Sequence, residues 1–364
     1  MNICFLAGDI SRGAGTERVC LQVAGGLAAR GHRVWVVSLA QTRGVPPRFP
    51  VPPQVEIRTL LGRLPHIRMA LCFYPVVVRR LAQWVRQERI AYIVTADAIL
   101  DIFALPVKKI TPVRVISWEH FNFHAAVGNP LRRSMRRVSA RWADGMVVLT
   151  QADRENFQRR FKHPGRKAAL HQVYNPLPLW DTPAYNAKAR RIVSAGRLVR
   201  QKGFDRLLDT AAQLPWKGGW RWEVAGEGPA HAALVAKTQR LGLGHRVIWR
   251  GHVQDMDAFY EDAAFFVLTS RYEGFGLVVA EAQRHRLPVA AFDCPVGPAE
   301  LITHGRNGFL SPNGDVAALA RHMGLFMADA PLRQAFASHA QEGLHAFNPA
   351  YILNQWEEIL HGAI

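Results

Sequence analysis

Short, unbroken apolar runs alternate along the chain with longer stretches in which hydrophobic residues recur every three or four positions. NICFLAG (2–8) reads as a buried strand and DISRGAG (9–15) as a glycine loop. TERVCLQVAGGLAARG (16–31) reads as a helix with Thr16 as N-cap and Gly31 as C-cap, and HRVWVVSLA (32–40) as the next strand. Further strands are expected at AYIVTAD (91–97), RVISWEH (114–120) and GMVVLT (145–150). A proline-rich connection, GVPPRFPVPPQ (44–54), interrupts them.

The alternation restarts after VYNPLPLWDTP (173–183), the best candidate for a linker. Strands are expected at RRIVSAGRL (190–198), WRWEVAGEGP (220–229), RVIWRGHV (246–253), AFFVLTS (264–270) and LPVAAFD (287–293). Helices are expected at FDRLLDTAAQL (204–214), HAALVAKTQRLGL (231–243) and MDAFYEDA (256–263). Strand–helix repetition of this kind implies α/β architecture with parallel sheets and right-handed crossovers. Two units in tandem predict two Rossmann-like, doubly wound domains facing across a cleft, with ligands at the carboxyl ends of the strands. The expected division is 1–174 and 175–347, with a C-terminal helix over about 348–364 packing back on the first domain.

Composition sharpens this picture in three ways. The 364 residues are 49% hydrophobic, enough for two cores, and no stretch is apolar for long enough to span a bilayer. The four cysteines, Cys4, Cys20, Cys72 and Cys294, stand far apart with no histidine at ligand spacing. They predict a reducing compartment, with neither disulfide framework nor zinc site. The net charge of +18 is unevenly shared: residues 1–175 carry 27 Lys+Arg against 10 Asp+Glu, and residues 176–364 carry 19 against 18. Only the first half is built to attract an anionic partner, whether nucleic acid, membrane surface or phosphorylated acceptor.

Three segments carry candidate chemistry. GDISRGAGTERV follows the first strand and offers backbone N–H groups at a helix start, although its glycines fit neither the dinucleotide fingerprint nor a P-loop. SAGRLVRQKGFDRLL places Arg197 and Lys202 on one loop flanked by Gly196 and Gly203; two cations there suit a diphosphate, and an exposed basic loop would look the same. In EGFGLVVAE, Glu273 precedes a helix and Glu281 lies about one and a half turns into it, so they are not a metal pair on one face. With Gly274 and Gly276 freeing the backbone, ribose hydroxyls on one carboxylate and hexose hydroxyls on the other would fit a nucleotide-sugar; a capping carboxylate beside an unrelated one is the alternative. Asp255-Met-Asp257 spells the D-x-D of manganese-dependent transferases but stands directly before a helix, where capping is favoured.

These residues resemble glycosyltransferase family 4, retaining enzymes of the two-Rossmann-domain GT-B fold. EGFGLVVAE fits the E-x7-E motif and AGRLVRQKGFDRLL the diphosphate loop, while VAGEGP, WRGHV, HGRNGFLSPNGD and RGAGTERV fit further stretches in the expected order. FDCPVGPAELITHGRNGFL and ISWEHFNFH look most like the branch that adds hexoses to lipopolysaccharide core or related lipid-linked glycans. The resemblance implies that Glu281 binds ribose and that Glu273 binds the donor hexose, supported by the backbone of Phe275 and Gly276. It implies that Arg197 and Lys202 hold the diphosphate and stabilise the leaving group, with the Gly15 backbone closing from the other domain. The segment Arg250, Gly251, His252 and Val253 would meet the base, and His120 would lie beside the reacting sugar. Asp97, Glu119 and His120 are the candidate acceptor contacts.

The resemblance further implies transfer with retention, assisted by the departing phosphate and without a side-chain nucleophile. The donor is a nucleotide diphosphate sugar, UDP-sugar favoured, and no metal or other cofactor is expected. The acceptor is a lipid-anchored glycan. The basic first domain would meet an anionic membrane, through NPLRRSMRRVSARW (129–142), whose arginines 132, 133, 136, 137 and 141 fall largely on one helix side, through QRRFKHPGRK, or through MALCFYPVVVRRLAQW (69–84). The expected location is cytoplasmic, on the inner face of the cytoplasmic membrane. A basic nucleic-acid-binding protein is the rival from another class, opposed by the near-neutral second half. A nucleotide-sugar epimerase or a phosphorylase is the rival within the fold.

Overall fold

A computed structural model describes residues 1–12, 15–41, 46–63, 67–124, 130–161, 168–178 and 182–362. In chain order the first part runs β1 (Asn2–Ala7), α1 (Gly15–Ala29), β2 (Arg33–Gln41), β3 (Val55–Arg63), α2 (Tyr74–Gln87), β4 (Tyr92–Thr95), α3 (Asp101–Ile110), β5 (Arg114–Glu119), α4 (Pro130–Trp142), β6 (Gly145–Val148), α5 (Gln151–Arg160) and β7 (Ala169–Gln172). It continues with β8 (Arg191–Ala195), α6 (Phe204–Ala211), β9 (Arg221–Ala225), α7 (His231–Arg240), β10 (Val247–Gly251), α8 (Met256–Tyr260), β11 (Phe265–Leu268), α9 (Leu277–Arg284) and β12 (Val289–Asp293). The last elements are α10 (Pro298–Leu301), β13 (Gly308–Pro312), α11 (Val316–Ala328), α12 (Ala330–His339) and α13 (Pro349–Gly362).

The chain divides into two compact units, Met1–Pro176 with Phe347–Ile364, and Leu177–Ala346. Each is built on one parallel sheet, in the order β3-β2-β1-β4-β5-β6-β7 in the first and β10-β9-β8-β11-β12-β13 in the second. Strand order reverses beside β1 in the first sheet and beside β8 in the second. Connections therefore leave in opposite directions there, opening a crevice at the strand carboxyl ends. The central strands are covered on both faces, which is why β1, β2 and β12 read as nearly continuous apolar runs.

In the first unit, α13 closes the core. Its Trp356 packs against Trp118 at 4.8 Å and Phe5 at 6.2 Å between ring centroids, and Glu357 meets Arg30 of α1 at 2.6 Å. In the second unit, Trp222, Phe265, Phe292 and Phe326 are wholly buried in one cluster. All four cysteines are unpaired, with Cys72 exposed and the other three buried.

Two sequence expectations change. Helix α1 begins at Gly15, so Thr16 lies inside its first turn and is not the N-cap. The arginines of α4 do not share one side. Arg132 and Arg136 are buried with Met135, whereas Arg133 and Arg137 are exposed. Gly13, Lys162, Arg166, Lys167 and residues 179–181 of the candidate linker fall outside the described residues.

Candidate active site

In the second unit the reversal point brings the β8–α6 and β11–α9 connections together. Gly203 ends the first of them in a left-handed conformation, with φ +66°, and a Cβ there would stand 2.0 Å from the carbonyl oxygen of Thr269. Only glycine allows that approach. The two loops are then stitched: Arg271 N donates to Gln201 O at 2.8 Å, and the Arg271 guanidinium forks onto Asp205 at 2.7 and 2.6 Å.

Lys202 leaves this scaffold across the face of Gly196. A Cβ at that glycine would lie 3.5 Å from the lysine methylenes. Its Nζ donates to both carboxylate oxygens of Glu273, at 2.7 and 2.9 Å. Ser270 Oγ donates to the same carboxylate at 2.5 Å. Glu273 is 4% exposed, so its charge is held by a cation and a hydroxyl in a largely dry setting. Arg197, on the same loop as Lys202, is exposed and its side chain makes no hydrogen bond or ion pair among the described residues.

Glu281 is buried on α9, where Tyr260 OH of α8 donates to its Oε2 at 3.3 Å. Gly276, at φ +89°, is the N-cap of that helix, and Phe275 is buried beneath it. On the outer strands the Gly251 carbonyl accepts from Gly226 N at 2.7 Å, His252 is exposed and Val253 is half-buried. The Arg250 guanidinium is taken by buried Glu223, at 3.0 Å through Nε and 3.0 Å through Nη2, and Arg191 and Arg221 pair with the same carboxylate. Asp255 caps α8 by accepting from Ala258 N at 3.0 Å, as the sequence suggests. Asp257 is paired with Arg284 and, at 2.8 Å, with His285.

The first unit gathers a second group of polar residues at the carboxyl ends of β4, β5 and β6. His120 follows β5; its ring lies 4.3 Å from that of Trp118, and Nε2 is buried without a hydrogen-bond partner among the described residues. Burial lowers its pKa to about 4, so the imidazole is neutral near pH 7. Glu119, 2% exposed, receives Arg136 Nε at 2.7 Å and Phe121 N at 3.0 Å; burial raises its carboxyl above the usual range while Arg136 pulls it back. Arg136 also donates to the carbonyls of Phe121, Asn122 and Phe123, at 3.0, 3.0 and 2.7 Å. Asp97 caps the turn before α3 and pairs with Arg132 at 2.5 Å, whose guanidinium lies 3.9 Å from the Phe121 ring centre.

Behind them, Asp101 accepts from Thr95 Oγ1 at 2.6 Å, Ser117 Oγ at 2.5 Å and Ser139 Oγ, and burial raises it to about 6. Asp153 accepts from Phe123 N at 2.9 Å, and burial raises it to about 7. Gly15 opens α1, and among the described residues nothing lies within 4 Å of a Cβ built on it. Sequence reasoning missed Ser270, Tyr260, Asp101, Asp153 and the inward turn of Arg132 and Arg136. Apart from Ser270, each has a partner at least 16 positions away, a distance that no local motif spans.

The description Glycosyltransferase Family 4 matches residues 13–181, and Glycosyl transferases group 1 matches residues 182–343. The chain belongs to glycosyltransferase family 4. Among its relatives, the amylovoran biosynthesis glycosyltransferase AmsD of Erwinia amylovora is 29% identical over 99% of both chains. The lipopolysaccharide 1,6-galactosyltransferase of Escherichia coli is 24% identical over 69% of each. The fold matches that of HepE from Anabaena, solved in complex with UDP, with TM-score 0.81 and 22% identity over 99% of both chains. This family 4 transferase has the GT-B fold class, two parallel-sheet α/β units, and its paired Lys202 and Glu273 stand where the second sheet reverses.

Proposed function

We propose that the protein is a retaining hexosyltransferase. It moves a hexose from a nucleotide diphosphate sugar, a UDP-sugar in the favoured case, to a lipid-linked glycan such as lipopolysaccharide core or a polyprenyl-linked saccharide. The observation that carries the reading is the Lys202–Glu273 pair at the β8/β11 reversal, with Arg197 unpaired on the same loop. UDP in HepE and the polysaccharide and lipopolysaccharide roles in the names of the relatives support it.

Lys202 and Arg197 hold the two phosphates and stabilise the charge that builds as the sugar departs. Glu273 takes hexose hydroxyls, assisted by the Gly274, Phe275 and Gly276 backbone. Glu281 takes the ribose, the backbone of Arg250 to Val253 meets the base, and Gly15 contributes its backbone. The bond from the anomeric carbon to phosphate breaks and the bond to the acceptor oxygen forms on the same face. The acceptor proton passes to the leaving phosphate oxygen, and a nucleoside diphosphate is released. Neutral His120 offers Nε2 to a sugar hydroxyl, with Asp97 beside it and Glu119 behind it toward the acceptor. No metal is given a role, since Asp255 and Asp257 are committed to a cap and an ion pair. The enzyme works at the cytoplasmic face of the membrane that carries its acceptor.

A thermal-shift screen of nucleoside diphosphates and nucleotide-sugars tests this. A ligand at one hundred times its Kd stabilises the folded state by about 2.7 kcal/mol. A shift with uridine nucleotides that disappears in Glu281→Ala is expected. No shift with any nucleotide overturns the reading.

A further inference from the structure

We infer that the segment Met69–Val76 is the part of the first unit that enters an anionic bilayer surface, with Arg79, Arg80 and Arg58 behind it at the level of the lipid phosphates. This deepens the proposed function, resting on its membrane-linked acceptor. It also selects one surface from the three basic stretches that the sequence offers.

The apolar side chains here point outward. Met69 and Leu71 are each 40% exposed and Phe73 and Val76 each 41%, and Cys72 and Pro75 are exposed among them. The opposite side is anchored in the core by Ala70, Val77, Leu81 and Val85. A run of exposed apolar residues on a firmly held turn and helix start marks an interaction surface.

Charge identifies the partner. Residues 57–87 contain six arginines and no acidic residue. On α2, Arg79 and Arg80 stand three and four positions after Val76, hence on its side of the helix and about 4.5–6 Å further along the axis. Interfacial segments bury their apolar face about 5–10 Å deep, which would place these guanidinium groups among the headgroups. Behind them Arg58 and Arg80 line an open cavity of about 270 Å³ with Thr59, Gln83, Trp84 and Gln87, a donor-rich recess suited to a phosphate. Arg80 is fixed there by donating to Leu60 O at 2.6 Å. The stretch favoured by arginine count, α4, turns Arg132 and Arg136 inward and keeps only part of its charge for solvent.

The test uses the whole chain with vesicles of equal parts phosphatidylglycerol and phosphatidylcholine, and of phosphatidylcholine alone, free of glycan and nucleotide. Membrane binding is thus read independently of donor binding. Cosedimentation with the anionic vesicles that weakens with salt is expected. Leu71→Ser with Phe73→Ser should lower partitioning at least tenfold, and Arg79→Ala about fivefold. Arg133→Ala with Arg137→Ala should lower it less than Arg79→Ala alone. Cys72 is the one exposed cysteine, so a polarity-sensitive label on it should shift to the blue with anionic vesicles. The inference is overturned by absent binding, by binding insensitive to Leu71 and Phe73, or by a label that stays water-like. It is overturned equally if α4 controls binding, or if the protein is a dimer that the Leu71 and Phe73 substitutions dissociate.

Discussion

Lys202 Nζ lies within 2.9 Å of both carboxylate oxygens of Glu273, although the two residues are 71 positions apart and are delivered by different strands. The pair neutralises itself in the absence of substrate, so neither charge stands alone in a largely buried place. A diphosphate arriving near Lys202 would share the cation and free carboxylate lone pairs for hydroxyl donors. Lys202→Ala is therefore expected to lower kcat roughly 100- to 1000-fold, as loss of one preorganised cationic donor does. Circular dichroism should show a retained fold. Steady-state transfer assays check it, and near-wild-type turnover would remove Lys202 from the phosphate site.

Tyr260 approaches the second carboxylate. Its hydroxyl donates to Glu281 at 3.3 Å from a different helix, which fixes the carboxylate without neutralising it. Tyr260→Phe should therefore weaken donor binding while leaving turnover nearly unchanged. A hydrogen bond to a charged group contributes about 1.5 kcal/mol at the low end of its range, roughly a tenfold rise in donor KM. Glu281→Ala should act far more strongly on the same parameter. An equal fall in kcat for Tyr260→Phe would show that the tyrosine acts on the reacting centre and not on the nucleotide.

How much of this was legible depended on sequence distance. Arg197, Lys202, Glu273 and Gly276 could be read because each sits in a short strand–glycine–helix passage whose local conformation the glycines dictate. Strand β3 could not, because it lies at the sheet edge and its charged positions break the apolar run. The α4 arginines misled for a related reason. Arg132 finds Asp97 35 positions away and Arg136 finds Glu119 17 positions away, so the sequence shows cations without the anions that take them inside. A buried ion pair looks like a solvated basic face until topology brings its halves together.

Arg136 fastens the loop that carries His120, through Glu119 and three consecutive carbonyls. Arg136→Met removes one partner of a buried pair and leaves Glu119 uncompensated, at an expected cost of about 3–5 kcal/mol. Arg136→Lys keeps the charge but not the fork, and should recover stability better than activity. Denaturant unfolding alongside transfer assays separates the two. If Lys restores turnover in full, the loop geometry does not depend on the guanidinium.

Asp153 makes the first unit sensitive to pH in a stated direction. Burial raises its carboxyl to about 7, against an ordinary value near 3.8, while it accepts from Phe123 N. The folded state therefore holds a proton that the unfolded state releases between those values. The associated stability is complete below about 3.8 and is lost as pH rises through 7. Asp101, raised to about 6, acts in the same sense, whereas His120, lowered to about 4, opposes both as pH falls below its ordinary value of 6.5. Wild-type Tm should accordingly rise between pH 8 and pH 6.5, where His120 contributes least. Asp153→Asn, which keeps an oxygen for Phe123 N but cannot ionise, should flatten that rise. Melting curves across this interval decide it, since an unchanged slope in the variant would mean that Asp153 is already charged in the folded protein.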